Sequence, residues 1–251
     1  MANKSIVSNT KLDAIADAIK AKDSSATTPM TLDQMATAIA AIPSGGGGGG
    51  EDVITMRTNG TDYEYSNEDA LAIPAYCFYL DEHLTNVHFE AAEEIGEKAF
   101  VGCIALRGDQ NGVLTFPAVR TVRKNAFGKL QDQALGQIIQ KVVFPALEVM
   151  ETDAFTAEAN MAFYKVQQTH TLDIGDEGRT DVIDLQGEAF CMSPQILIVR
   201  NNSVATLGMS LSAYYGSNIT TVYVNDNQLD NYKNATNWSA RPDIIHGISE
   251  M

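Results

Sequence analysis

Cysteine is scarce: there are three residues in 251, at Cys77, Cys103 and Cys191. The number is odd and no C-x-x-C pair occurs, so neither a disulfide framework nor a zinc knuckle is indicated. All three are expected to be small buried apolar residues. Long apolar runs are missing as well. None approaches the roughly 20 residues that span a bilayer, which argues against membrane insertion. The opening Met1-Ala2-Asn3-Lys4-Ser5 has neither the apolar stretch nor the small-residue cleavage site of a secretory leader. Positive charge is in deficit: 17 Lys and Arg stand against 32 Asp and Glu, for a net charge of −15. In residues 1–50 four Lys are balanced by four Asp, so the whole excess lies in residues 51–251. A body this acidic repels phosphate backbones and argues against nucleic acid and anionic membrane as partners. It suits a soluble particle that must not aggregate at high concentration.

What the chain does have is a repeat. Five times an apolar residue stands five positions before a phenylalanine: Ile73 to Phe78, Ile95 to Phe100, Val122 to Phe127, Met150 to Phe155 and Leu185 to Phe190. Alanine precedes the ring in every copy but the first, where Cys77 takes its place. In the three middle copies a second phenylalanine, Phe89, Phe116 or Phe144, lies eleven residues before the first. Two spacings recurring in register mean one structural unit laid down repeatedly, and so a solenoid instead of one core enclosing a pocket.

Short strand patterns fit this reading. Leu84–Phe89, Val113–Phe116 and Lys141–Phe144 are bounded by turn residues, and Pro117 and Pro145 end two of them. Each unit is expected to be two short strands at a corner, with its phenylalanines stacked on those of its neighbours. Successive Ala-Phe rings are 22, 27, 28 and 35 residues apart, so the basic coil is about 22 residues and later coils carry insertions. These are Arg107–Asn111, Gly128–Gln140, Thr156–Thr171 and Asp173–Asp184. Insertions in solenoids become loops, often on one binding face. Near the end, Val222-Tyr223-Val224 reads as a last strand and Gln228 to Asn234 as a helix. Tyr232, Trp238, Ile244 and Ile245 supply apolar cover, so residues 221–251 read as a cap on a solenoid of residues 51–220.

The first 50 residues contain no Phe, Tyr, Trp, Cys or His. One helix fits Thr10 to about Ala21, with Leu12, Ile15, Ala16 and Ile19 on one stripe. A second fits Leu32 to Ile42, with Leu32, Met35, Ala36, Ile39 and Ile42 on its stripe and Thr31 and Gln34 at capping-box spacing. Isolated helices of about 12 residues are marginal, so these stripes need a partner: each other, sister chains or a larger assembly. Residues 1–43 are thus an attachment or oligomerisation segment, and 44–50, with Gly45 to Gly50, a flexible joint. No strand leads into the glycines and no Lys-Ser/Thr follows, which removes a phosphate-cradling loop.

The run Ile95-Gly96-Glu97-Lys98-Ala99-Phe100-Val101-Gly102-Cys103 resembles the BspA-type leucine-rich repeat, whose units read I-G-x-x-A-F-x-x-C after a strand ending in I/F-P; Phe116-Pro117 and Phe144-Pro145 match that ending. The resemblance covers about residues 70–220. Thr10–Ile19 followed by Met30-Thr31-Leu32-Asp33-Gln34-Met35 is similar to the N-terminal segment of many phage tail and baseplate-associated proteins, and the C-terminal segment to their closing part. Together these imply a noncatalytic virion protein, a tail fibre or baseplate-associated chain. Its helices would attach to other tail proteins, and its repeats would adhere to a host cell-surface receptor, with a glycan among the candidates. They also imply a homo-oligomer, preferably a trimer, located in the virion tail and extracellular after lysis. A cell-surface or secreted adhesin built on the same repeats is the alternative. A polysaccharide depolymerase is a third reading, because parallel β solenoids can carry paired carboxylates in grooves.

No catalytic, cofactor or metal site emerges. His83, His88, His170 and His246 are scattered at spacings that fit no metal pair. Carboxylates are dense from Asp173 through Asp176, Glu177 and Asp181 to Asp184. Their spacing is not that of an EF-hand, so a solvated acidic loop is favoured over a calcium site. Arg107-Gly108-Asp109 is ordinary turn chemistry. Phe163 and Tyr164 in one insertion, and the pair Tyr214-Tyr215, are the candidates for receptor contact, with core packing of an enlarged coil as the blander reading.

Overall fold

A computed structural model describes residues 62–128, 139–155, 169–190, 194–211 and 219–251. The expected helices, with Leu12, Ile15, Ile19, Leu32, Met35 and Ile39, lie outside the described residues, as do the glycine run, Cys191, Phe163, Tyr164, Tyr214 and Tyr215.

The described chain is mainly β and winds as a solenoid of about six turns. Longer strands, β1 (Tyr63–Ser66), β3 (Leu84–His88), β5 (Val113–Thr115), β7 (Ile139–Phe144), β9 (Thr169–Ile174), β11 (Ile196–Val199) and β13 (Thr221–Val224), alternate with two-residue strands. The latter are β2 (Ala72–Ile73), β4 (Glu94–Ile95), β6 (Thr121–Val122), β8 (Val149–Met150), β10 (Asp184–Leu185) and β12 (Thr206–Leu207); a last strand, β14 (Ile245–Gly247), follows. Short strands pair only with short ones, in the order β2-β4-β6-β8-β10-β12, and long with long, β1 with β3 and then β5-β7-β9-β11-β13-β14. Every described pairing is parallel, as a coil that always returns in one direction requires.

The register converts the sequence spacing into columns. Ile73, Ile95, Val122, Met150, Leu185 and Leu207 stand one above another in the short sheet, all buried. Leu114, Val142, Leu172, Leu197, Val222 and Ile245 do the same in the long sheet. Side chains alternate faces along a strand, so each long strand gives one such residue and, two positions on, a second inward one. There Phe144 is followed in register by Ile174, Val199 and Val224.

The rings form the spine. Phe78, Phe100, Phe127 and Phe155 stack nearly face to face, with centroids 5.4, 5.1 and 4.7 Å apart and planes within 16°. Phe116 and Phe144 stack at 5.3 Å in a parallel column. The two columns meet mainly edge to face, as at Phe116 and Phe127 (5.8 Å) and at Phe127 and Phe144 (6.0 Å). Both geometries suit the ring quadrupole, and each fully buried ring contributes about 2–3 kcal/mol of apolar burial. The alanine before each ring has a backbone task as well. Phe78, Phe100, Phe127 and Phe155 each donate their N–H to the carbonyl of Ala99, Ala126, Ala154 or Ala189 in the next coil, at 2.8–3.1 Å.

Each turn of the first four coils is closed by a residue with left-handed backbone three positions after the short-strand anchor: Tyr76, Lys98, Asn125 and Asp153, at φ of 60°, 56°, 55° and 61°. At the C-terminal end, a six-residue helix α1 (Leu229–Asn234) brings Tyr232 under the last coil. The Tyr232 hydroxyl accepts from Ala205 N (2.8 Å) and donates to Ser203 O (3.2 Å), while Trp238 Nε1 donates to Ala205 O (2.8 Å). That end is sealed, its edge backbone satisfied by two buried aromatic residues packed edge to face.

Four expectations need correction. Cys77 is exposed, because it lies in the first coil and no described coil covers it; Cys103 is buried as expected, and burial pushes its thiol pKa well up. A sixth coil, β11 with β12, extends the stack without a recognised ring motif, since Val199 fills the site of the second phenylalanine. Val222–Val224 is not the last strand, because β14 follows it and carries Ile245, which is buried and supplies the expected apolar cover. The proposed insertion 173–184 is shorter than drawn, because Asp173 and Ile174 complete β9 and Asp184 begins β10.

Candidate recognition surface

A concavity lies at the corner between long and short strands. It is a groove of about 590 Å³ lined by Pro117, Arg120, Pro145, Ala146, Glu148, Asp176, Arg179 and Asp181. Its floor is the pair of prolines that follow Phe116 and Phe144, so the residues that end the strands also pave the groove. Its wall is the loop 175–183, the one insertion that joins a long strand to a short strand. The insertion Arg107–Asn111 falls instead between the Phe100 turn and β5, at a different point of the coil. Most of the expected insertions Gly128–Gln140 and Thr156–Thr171 lie outside the described residues.

Two residues hold the loop in place. Gly175 sits at φ +76°, and a Cβ there would fall 2.0 Å from Asn201 Oδ1, so nothing larger fits. Asn201 is fully buried; its Oδ1 accepts from Asp176 N (3.0 Å) and its Nδ2 donates to Asp181 O (2.8 Å), tying both ends of the loop to the chain after β11. Nothing in the sequence marked Asn201, which stands two residues after the apolar run Ile196–Val199.

Glu148, Arg120, Arg179 and Asp181 form one paired set in the groove. Glu148 faces both Arg120 and Arg179, the latter at 3.8 Å, and Arg179 also holds Asp181. Another guanidinium nitrogen of Arg179 donates to Pro145 O at 3.0 Å, which clamps the loop on the preceding coil. The hydrogen bond from Arg179 holds the Asp181 carboxyl below the usual carboxylate range. Asp173, expected in a solvated loop, is instead almost fully buried in β9. It is bound by Arg200 through two nitrogens (2.7 and 3.0 Å) and by Lys141 (2.6 Å). Glu177 faces Arg200 at 3.4 Å. In the acidic stretch Asp173, Glu177 and Asp181 thus have arginine or lysine partners, Asp176 accepts from Gly178 N and Asp184 from Gln186 and Thr206. Among the described residues no group of three or more His, Cys, Asp and Glu is placed to hold a metal ion.

Comparison of the chain with protein-family models and with curated proteins finds no match.

The remaining sequence features resolve into turns and surface. Asp109 accepts the N–H groups of Asn111 (2.8 Å) and Val113 (2.9 Å), which, Val113 first, lower its pKa; Arg107-Gly108-Asp109 is thus a closed turn. His83, His88 and His246 face Asp62, Glu64 and Glu250 at 3.3–3.7 Å on the surface, and His170 is exposed beside Thr171. Along the short sheet, Arg123 bridges Glu94 (2.6 Å) and Glu151 (2.7 Å), a three-coil ion ladder that raises the arginine pKa further. The phenylalanine anchors are brought together. The four receptor candidates Phe163, Tyr164, Tyr214 and Tyr215 lie outside the described residues.

Proposed function

We propose that this chain is a noncatalytic virion protein of a phage tail or tail-like particle, a BspA-type leucine-rich-repeat fibre or baseplate component. Residues 1–43 form helices that attach to tail proteins or to sister chains, preferably as a trimer, and residues 44–50 act as a hinge. The solenoid contacts a receptor on the host cell. The observation that carries the reading is the succession along one chain of the Thr10–Met35 pattern, the glycine run and a repeat whose aromatic rungs stack through four successive coils. A stack held by ring contacts and ion ladders is a stiff spacer, and several copies on one particle turn weak contacts into avidity.

The groove supports recognition over hydrolysis. A glycosidase needs one carboxyl with a raised pKa to protonate the leaving group. In this groove Asp181 is displaced the other way by Arg179, and Glu148 is shared between two arginines. Fixed donors and acceptors beside proline faces suit a neutral polar ligand.

The test compares purified particles with culture supernatant from producing cells by mass spectrometry, and images the particles by electron microscopy. Peptides of this chain should enrich with the particles, with extra density at the tail. Recovery in the supernatant or the cell envelope, with bare tails, would reject the assignment in favour of an adhesin.

A further inference from the structure

Of the six large apolar side chains most exposed among the described residues, four lie in the first coil: Leu71, Tyr76, Tyr79 and Leu80. Tyr76 is the informative one. Its equivalents in the next three coils are Lys98, Asn125 and Asp153, polar residues at the same left-handed backbone position. A bulky aromatic there carries a backbone strain of about 1–3 kcal/mol, and such strain concentrates where a side chain is presented to a ligand. Burial does not offset it, because Tyr76 is 50% exposed. The spine uses phenylalanine, whereas this face uses tyrosine, whose ring is apolar and whose edge carries a hydroxyl.

The rings are arranged. Tyr76 and Tyr79 meet edge to face with centroids 5.5 Å apart and planes at 62°, forming an open corner. Lys98 Nζ stands 5.7 Å over the Tyr76 ring, fixing it from one side. An acidic body disfavours an anionic ligand. A flat, partly apolar ring with hydroxyls at its rim fits the corner: its axial C–H face stacks on one tyrosine and its rim hydroxyls meet the other tyrosine hydroxyl and the lysine. We infer that the Tyr76–Tyr79 corner of the first coil binds a neutral pyranose sugar. The chemistry is independent of whether the chain belongs to a tail.

The test uses the full chain and saturation-transfer NMR with the methyl pyranosides of glucose, galactose and N-acetylglucosamine at millimolar concentration. At least one sugar should receive saturation, and Tyr76→Asn should cut the signal at least fivefold. Asparagine already occupies the same position in the third coil, so the variant should keep the native circular dichroism. Tyr79→Ala provides a second reading should Tyr76→Asn fail to fold, and Tyr223→Ala, in β13 several coils away, should leave the signal unchanged. Absence of transfer to all three sugars, or equal transfer to Tyr76→Asn, would overturn the inference. So would resistance of the adjacent Cys77 to iodoacetamide in the native full chain, because the face would then be covered, by residues 51–61 or, if the protection rises with concentration, by a second copy.

Discussion

Gly96→Ala isolates the contact between the first two coils. Gly96 follows β4 and donates its N–H to Ile73 O at 2.8 Å. An added Cβ would lie 2.3 Å from Ala75 N, 2.7 Å from Pro74 C and 2.8 Å from Ala75 Cα, all backbone atoms of the preceding coil. Backbone cannot swing aside as a side chain can, so the coils must part by about 1 Å. A gap of that size forfeits up to about half of each dispersion contact, including the Phe78–Phe100 stack, worth roughly 0.5–1.5 kcal/mol. It also stretches three coil-to-coil hydrogen bonds, from Gly96 N, Tyr76 N and Phe78 N, each worth about 0.5–1.5 kcal/mol net. The sum is about 2–4 kcal/mol, at the upper end of overpacking costs. Because the first coil touches only one other coil among the described residues, the cheapest response is detachment of that coil rather than global unfolding. Amide exchange over Tyr63–Leu80 should therefore accelerate roughly 30- to 700-fold, at tenfold per 1.4 kcal/mol. The fluorescence transition of Trp238, in the far cap, should stay put. Gly178→Ala is the control, since its Cβ would meet only Asp176 Oδ1 at 3.2 Å. Unchanged exchange in Gly96→Ala, or a shift of the Trp238 transition by the full amount, would refute the reasoning.

Asp173→Ala removes the anion shared by Arg200 and Lys141, and should lower stability by about 2–3 kcal/mol. That is the low side for a buried ion pair, because both cations remain about a third exposed and can turn to water. A urea midpoint within about 0.5 kcal/mol of wild type would contradict it. Acid should destabilise through Asp109, Asp181 and Glu250, whose pKa values are lowered chiefly by the N–H of Val113, by Arg179 and by the N–H of Gly247. A depressed folded pKa gives stability that is complete above the unfolded value and lost as pH falls through the folded one. Charge repulsion eases down to the pI of about 4.5 and acts the other way, so the decline belongs below about pH 4. A melting temperature that rises between pH 4 and pH 2 would count against it.

How much of this was legible in advance follows from what each residue depends on. The spine was visible because Phe100, Phe127 and Phe155 repeat at fixed distance from their short-strand anchors, and one-dimensional stacking turns spacing directly into contact. The sixth coil was hidden because Ile174, Val199 and Val224 occupy the ring position as strand-forming aliphatics, which keep the column but erase the motif. Asp173 was misplaced because a carboxylate beside Asp176 and Glu177 reads as a loop. Only its register with Ile198 and Val143 puts it in the sheet, within reach of Arg200. The groove was not legible at all. Pro117, Pro145, Glu148 and Arg179 are brought together by pairings 28 and more residues apart in sequence, and no local pattern announces them. The exposed Tyr76 was equally silent, because its interest lies in a backbone angle.

The central claim is that successive phenylalanines form one energetically connected column, and a pair of double-mutant cycles tests it most directly. Phe127 and Phe155 lie 4.7 Å apart, whereas Phe78 is separated from Phe155 by the rings of Phe100 and Phe127. With Phe→Leu at each position, the Phe127–Phe155 cycle should show a coupling of about 0.5–1.5 kcal/mol. The Phe78–Phe155 cycle should be additive within about 0.5 kcal/mol. Additivity in both cycles would mean that the rings sit in unrelated surroundings and that the solenoid has no aromatic spine.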